Sequence, residues 1–260
     1  MFSNMGFAPL PIIFAVILIV QSFSIYTWAV LKGDVDPVFP YLSSAADRRP
    51  QSCFFAMGGN ICSFLLTIIV YVRYHQMKGI FTTDPHLYGS KANSFSKFFG
   101  WSTALGMFIV SNVQETAIIP VHMAAAVLTF GSFNIYMILQ TYMTIKTTPK
   151  VTRISMVISR SICAVCGVIS MICAITFGIT ASHIFHSYYP DLPTPRPWNR
   201  KIWQPGYGFH QVSAAFEWIC ATSQIAFIVS FVPEFEEING NYYLLSEKYI
   251  PPPPPRESDD

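Results

Sequence analysis

Four histidines and two acidic residues are the side chains of this sequence with the clearest capacity for chemistry. They are His122, His183, His186, His210, Asp191 and Glu217. Three imidazoles with a carboxylate can bind zinc or activate water for lipid hydrolysis. Imidazoles can equally sense acid, because they titrate near pH 6.5. A third interpretation is interhelical hydrogen bonding that fixes the register of a helix bundle, at less than about 2 kcal/mol per contact.

No sequence motif supports the catalytic interpretation. The chain contains no HExxH, GxSxG or phosphate-binding loop. The "CAVC" of Cys163 to Cys166 has metal-ligand spacing but lies in an apolar run without a second pair, which favours a packing role. We therefore predict a protein that is not an enzyme, with no catalytic residue, no metal and no cofactor.

The stretch from Gly206 to Val232 is apolar but carries His210 and Glu217 seven residues apart. Seven residues bring a helix back to within about 20° of the same direction, so these side chains share a stripe that Gln224 continues. An ionisable group in lipid costs several kcal/mol unless it is paired, so the stripe is predicted to face protein. Arg160 is a candidate counter-charge for Glu217, since helical rise places the two about 9 Å apart in depth.

Other polar side chains also fall within apolar runs. They are treated as structural or pH-sensing candidates, and the full set is His122, His186, His210, Glu217, Arg160, Asn60, Asn112 and Gln114.

The elements that carry these residues are predicted to be membrane-spanning helices. The chain has 260 residues, 52% hydrophobic and only 12% charged. About twenty apolar residues span a bilayer core. We predict an all-α integral membrane bundle of six spans, at about 8–31, 54–73, 95–113, 117–143, 155–181 and 209–232, in one domain of residues 1–235. The third span is the weakest because it is short and holds Lys97; the alternative is an interfacial segment.

Basic residues near the ends of the spans predict the orientation. Ten lie on one side and six on the other. Both termini are therefore predicted to be cytosolic, although Lys32 beside the first span argues the other way.

Residues 236–260 differ in composition from the rest of the chain. They are acidic and include Pro251 to Pro255, which predicts a disordered cytosolic tail. Tyr242 and Leu245 fit the tyrosine-x-x-bulky pattern that trafficking adaptors read, and the proline run could fill an SH3-type groove.

Several motifs in one order resemble the damage-regulated autophagy modulator (DRAM) family, within a wider group of Sfk-type and TMEM-type six-span proteins. The matching pieces are "DPVFPY" with Asp36, Pro37, Pro40 and Tyr41, "IIVYVRY" ending at Tyr74, "SNVQET" from Ser111, "HMAAAVLTFG" from His122, and "HQVSAAFEW" from His210 to Trp218. The sequence departs from the family pattern after Tyr41, where "LSSAA" replaces a stretch that usually has an Asp.

The resemblance implies a multi-pass protein of lysosomal or endosomal membranes that modulates autophagy or lysosomal function, a family linked to apoptosis, without established catalysis. The predicted partners are the bilayer and unidentified membrane or autophagy proteins, with no nucleic acid. Trafficking adaptors are expected from the tyrosine pattern of the tail alone, because the tail does not match the family. Alternatives are a plasma-membrane partner of a phosphoinositide-kinase complex, a lipid or solute carrier, and a metal-dependent lipid hydrolase.

Overall fold

The structure, a computed structural model, describes residues 6–84, 89–195 and 201–238. Its helices, in chain order, are α1 (Pro9–Leu31), α2 (Leu42–Ala45), α3 (Gln51–Thr83), α4 (Ser90–Asn112), α5 (Ile119–Thr147), α6 (Ile154–Tyr188), α7 (Tyr207–Val229) and α8 (Val232–Glu236). The predicted all-α class is confirmed.

The six long helices form a closed ring in which each packs on the next in sequence. α1 packs on α3, and α3 to α7 follow in order until α7 returns to α1. α5 also contacts α7 across the ring. Because every long helix has two flanking partners, each has an inward stripe and an outward face.

Five of the six long helices are long and apolar enough to cross a membrane: α1, α3, α5, α6 and the stretch Tyr207–Glu236 that joins α7 to α8. α4 is not among them by composition, although its 23 residues would reach about 34 Å. The six-span count therefore stays a prediction.

The outward faces are apolar, as lipid requires. On α3 and α6, for example, Phe64 and Ile179 are each 66% exposed. The inward faces hold a core that includes Leu66, Tyr136 and Phe227, all fully buried. A membrane protein exposes apolar side chains to its solvent and can place polar ones inside, which is the arrangement seen here.

The connections divide between the two ends of the ring. Residues 32–50, 113–118 and the segment after α6 lie at one end, called here the loop end, where Asp47 contacts Thr116 and Asp36 contacts Tyr207. The other end, called the tail end, holds the start of the described chain, the α5–α6 connection and α8, where the Phe7 amide donates to the Phe235 carbonyl at 3.0 Å.

Candidate functional site

The connection 32–50 is held over the loop end by a charged network around Asp34. Its carboxylate accepts hydrogen bonds from Arg48 at 3.0 Å and Gln51 at 2.8 Å, and Lys32 lies 3.5 Å away. Burial by itself would raise the pKa of Asp34, but the bonds from Gln51 and Arg48 and the charge of Lys32 outweigh it and lower that pKa. Asp34 therefore stays ionised and fixes the start of the connection.

The segment Asp36 to Tyr41 is tied to two helices through its backbone carbonyls. Tyr26 of α1 donates to the Pro37 carbonyl at 2.6 Å, and Trp218 of α7 donates to the Pro40 carbonyl at 2.9 Å. The Asp36 carboxylate accepts from the Val38 amide at 2.8 Å and from the Tyr207 hydroxyl at 3.2 Å. The predicted loop motif thus fastens the whole connection 32–50, called here the lid, to α1 and α7.

The Tyr41 side chain extends from this lid into the bundle. Its hydroxyl lies 2.6 Å from Ser213 Oγ, and its ring meets His210 edge-on with centroids 5.0 Å apart. Ser213 Oγ donates to the Ala174 carbonyl of α6, so the Tyr41 hydroxyl donates to Ser213. Gly178 leaves the room for this pair, because a Cβ there would lie 3.2 Å from the Tyr41 oxygen.

Glu217 accepts a hydrogen bond from the Leu42 amide at 2.9 Å, at the first residue of α2. The suggestion that Arg160 compensates Glu217 is wrong. Arg160 pairs with Glu234 at the tail end, whereas Glu217 lies under the lid at the loop end. The estimate from helical rise failed in depth: Arg160 bonds to Ser230, thirteen residues beyond Glu217, which corresponds to about 20 Å along the helix rather than about 9 Å.

The connection 113–118 is docked against the same lid. Asp47 accepts from the Thr116 amide at 2.9 Å and from its hydroxyl at 2.8 Å. Ser44 of α2 donates to Glu115 at 3.1 Å, and Glu115 is 2% exposed. The connection 113–118 therefore helps to hold the lid in place.

The histidines do not converge on one point. His122 Nδ1 lies 2.6 Å from the Val113 carbonyl, and His186 Nε2 lies 2.9 Å from Thr194 Oγ1. His210 is buried against Tyr41, and His183 is exposed. Across the described ranges, no group of three or more His, Cys, Asp or Glu side chains is arranged to hold a metal ion.

Two adjoining cavities lie beneath the lid. The larger, of about 430 Å³, is bounded by α5, α6 and α7, and the smaller, of about 130 Å³, extends toward α1 and α3. His122 and Glu217 line both. Most of the remaining walls are apolar. The predicted stripe of α7 faces the inside of the bundle, where His210 is buried and Glu217 and Gln224 border the cavities.

A second polar cluster lies at the tail end and joins Arg73, Arg160 and Glu234, three residues that are nearly inaccessible. Arg73 Nη1 is 2.8 Å from Glu234 Oε2, and Arg160 contacts both carboxylate oxygens, Oε1 at 3.1 Å and Oε2 at 2.5 Å. The Phe231 ring lies 4.9 Å from the Arg73 guanidinium carbon and 4.8 Å from that of Arg160. One carboxylate therefore serves two guanidinium groups, with an aromatic face between them.

Neutral groups from α3, from α5 and from the α5–α6 connection complete this arginine cluster. Gln140 and Gln76 accept from Arg73 at 3.0 and 2.7 Å, and Thr144 accepts from Arg160 at 2.8 Å. Thr152, in the α5–α6 connection, donates to Glu234 Oε1 at 3.0 Å. The cluster thus joins α3, α5, α6 and α8.

The chain directly after α7 is therefore folded. Glu236, assigned to a disordered tail, ends α8, whose residue Phe235 is completely buried. The acidic composition indicated a tail too early because Glu236 and Glu237 precede Ile238, whose side chain is completely buried. Tyr242, Leu245 and the proline run lie outside the described residues.

Two other candidates are not buried. Asn112 is exposed, and its amide donates to the Asn60 carbonyl oxygen at 2.6 Å, joining α4 to α3 near the loop end. Gln114 is half-buried, and its backbone carbonyl accepts from Ala117 and Ile118. These residues shape the end of the bundle and do not line the cavities.

Sequence reasoning missed Glu234 and the anchoring carboxylates Asp34, Asp47 and Glu115. A signal for Glu234 was present: Arg73 and Arg160 both fall inside apolar helices at the same end, and buried arginines need a carboxylate at their own depth. Glu234 follows the last apolar run closely enough to supply it.

The similarity to known proteins extends over the whole described region. The family model described as Frag1/DRAM/Sfk1/Cwh43P N-terminal domain matches residues 6–238. Human DNA damage-regulated autophagy modulator protein 2 is 30% identical over 82% of this chain and 78% of its own length. Human DNA damage-regulated autophagy modulator protein 1 is 32% identical over 83% and 89%. Zebrafish modulator of macroautophagy TMEM150B is 27% identical over 90% and 88%. No solved structure matches the chain.

Proposed function

Because the chain belongs to the Frag1/DRAM/Sfk1 family, in its DRAM branch, we propose that it is a multi-pass membrane protein that modulates autophagy without catalysing a reaction. The observation that carries the proposal is the similarity to proteins named as autophagy modulators along most of the chain. The match covers the lid, both cavities and the arginine cluster, so it is not confined to apolar helix content.

The non-enzymatic part of the proposal is supported by the names of the relatives and by the site. The relatives are named modulators. The candidate histidines are dispersed, and each carboxylate under the lid accepts a structural hydrogen bond, Glu217 from Leu42 and Glu115 from Ser44. Such an arrangement stabilises one bundle conformation, as expected of a protein that presents surfaces to partners.

We place this activity in endolysosomal membranes, through recruitment of other proteins to the loop end or to the tail. Exposed aromatic and apolar residues on the loop-end connections, Phe39 at 54% and Trp203 at 78%, support a contact surface there. The alternative, a plasma-membrane partner of a phosphoinositide-kinase complex, would use basic residues at the tail end. One of them, Lys150, is already bonded to Asp84 at 2.8 Å.

The test of the modulator function is autophagic flux, measured as lysosome-dependent turnover of an autophagosome marker. Cells lacking the protein should show altered flux, and the full-length chain should restore it. Unchanged flux in cells without the protein, with rescue protein shown to be folded and in the membrane, would contradict the proposal.

The location is tested with a fluorescent fusion of the full chain beside lysosomal and plasma-membrane markers. We expect lysosomal signal, with part of it moving to the cell surface in Tyr242→Ala because adaptors need that ring. Tyr243→Ala is the matched control, since it leaves the Tyr242 to Leu245 spacing intact. Wild-type protein resident at the cell surface would favour the kinase-complex alternative.

A further inference from the structure

The larger cavity beneath the lid has the size and lining of a small-molecule site. Its volume of about 430 Å³ falls within the range of about 300–1,000 Å³ that is usual for ligand pockets. Apolar side chains of α5 and α6, such as Phe130, Met171 and Ile175, form most of its wall. A few polar groups converge at one end, under the lid.

The cavity also opens sideways to the surroundings of the bundle. Val127 of α5 and Ile179 of α6 both line it, and they are 55% and 66% exposed on the outer face. Both helices are apolar enough to span a membrane. A long apolar chain can therefore lie partly in the cavity and leave between α5 and α6 into lipid.

The polar end of the cavity accepts hydrogen bonds. Glu217 receives one bond from the Leu42 amide through Oε1. The Ser213 and Tyr41 hydroxyl hydrogens are already used, on the Ala174 carbonyl and on Ser213. A ligand group in this position therefore finds acceptors, which selects for a head group rich in donors.

Glu217 has no cation beside it in the described part of the chain. The five ion pairs found there use Asp34, Asp84 and Glu234 as their carboxylates. Glu115 lines the same cavity, so the site is acidic. A carboxylate within apolar helices is costly unless a positive charge accompanies it, and a cationic head group would supply that charge.

We propose that the cavity binds a single-chain amphiphile with a primary ammonium head, whose head contacts Glu217 and whose tail passes between α5 and α6 into the bilayer. An anionic head is disfavoured by the two carboxylates. A hydroxyl head offers one donor and no charge. This inference is independent of the autophagy role, because it concerns binding by the isolated protein.

The test uses purified full-length protein in lipid nanodiscs and three photoreactive probes. The probes are hexadecylamine, hexadecanol and hexadecanoic acid, each with the same mid-chain diazirine. Saturable cross-linking to peptides of α5 and α6 is measured by mass spectrometry. We expect it for the amine only, with loss of about thirtyfold or more in apparent affinity in Glu217→Gln, the size expected from loss of one partner of a buried charge pair.

Two further variants make the result decisive. Ala126→Phe fills the cavity from α5 and should abolish saturable labelling even if the carboxylate is intact. Glu236→Gln removes an exposed carboxylate at the tail end and should leave labelling unchanged. Thermal unfolding of each variant identifies any loss of fold. Equal saturable labelling by the alcohol or the acid, unchanged amine binding in folded Glu217→Gln, or no saturable labelling of the wild type would overturn the proposal.

Discussion

At the scale of single residues, Glu234 has the largest expected effect on stability. Its carboxylate contacts Arg73 and Arg160, both of which are almost inaccessible to solvent. Removing one partner of a buried ion pair costs about 3–5 kcal/mol, because the remaining charge stays buried without compensation. Here two guanidinium groups would be left with hydroxyl, amide and aromatic neighbours alone.

We therefore predict that Glu234→Ala lowers the free energy of unfolding by about 3–5 kcal/mol or prevents folding. Glu234→Gln should also destabilise, but less, because its amide oxygen can still accept from one arginine. Thermal unfolding in detergent, with folded yield, measures both. Glu236→Ala, an exposed glutamate in the same short helix, is the matched control. Equal melting temperatures for the variants at 234 and 236 would show that the cluster contributes little.

Glu217 should contribute less than Glu234, because its protein partner is one backbone amide. Glu217→Ala leaves the half-buried Leu42 N–H without its acceptor, which costs about 1 kcal/mol, the lower end of the range for a buried donor. Glu217→Gln keeps an oxygen for that bond and should be milder. The same unfolding measurement applies, and a larger loss for Gln than for Ala would contradict this account of the bond.

The lowered pKa of Asp34 predicts how the stability of the protein depends on pH. Its pKa in the folded protein is lowered, so the carboxylate contributes stability above its unfolded pKa of about 3.9, and that contribution is lost as pH falls toward the folded value. The loss of stability in Asp34→Asn, about 1 kcal/mol, should therefore be the same at pH 7 and pH 5. Unfolding midpoints of both proteins at the two pH values test this. A penalty that disappears at pH 5 would be inconsistent with a lowered pKa.

From the sequence, the direction in which a polar side chain faces was easier to predict than the residue it pairs with. The spacing of His210, Glu217 and Gln224 was enough to predict a shared inward stripe, since that depends only on the helical period. Pairing Arg160 with a partner required knowing that α8 folds back under the ring, which depends on long-range packing. Local patterns carry no information about which helix faces which.

At the scale of helices, α4 shows how a polar sequence can belong to a membrane bundle. Its polar residues face protein: Asn93 donates to the Tyr74 carbonyl at 2.9 Å, and Ser96 accepts from Gln140 at 2.8 Å. Lys97 lies 3.9 Å above the Tyr74 ring. The mean hydropathy of such a helix is too low to indicate a membrane span, because the average combines the polar inward face with the apolar outward face.

Close packing of α4 on α5 depends on Gly106. A Cβ at this position would lie 2.7 Å from both the amide nitrogen and the hydroxyl of Thr129, a contact that backbone atoms cannot avoid by rotating. Gly106→Ala should therefore separate the two helices and cost about 1–3 kcal/mol. Gly208→Ala, where nothing lies within 4 Å of the added carbon, is the control and should be neutral or stabilising. Equal thermal stability of the two variants would mean that α4 and α5 adjust freely.

At the scale of the whole molecule, the apolar runs were sufficient to predict the long helices and their order, because bilayer thickness and helical rise determine the length of a span. The closed ring was not predictable in this way. It results from packing of α7 against α1 and from a lid that bonds to α1 and α7 through Tyr26 and Trp218. The contacts of α7 with α1 and with the lid join residues more than a hundred positions apart, and such contacts leave no periodic signal.

The ring also constrains the topology of the protein. Phe7 and Phe235 are hydrogen-bonded to each other, so the start and the end of the described bundle lie together at the tail end. The excess of Lys and Arg near that end predicts that it is cytosolic. The lid and both cavities would then face the lumen or the exterior.

We predict that small tags at both termini are digested by protease added to intact organelles, whereas Asp191→Cys, at the loop end, reacts with an impermeant maleimide only after the membrane is opened. An even number of spans produces this pattern, and the six-helix ring supplies one if α4 crosses with the other five helices. If α4 stayed at one interface, five spans would separate the termini. Protection of one terminal tag but not the other in sealed organelles would therefore contradict both the six-span topology and the pairing of Phe7 with Phe235.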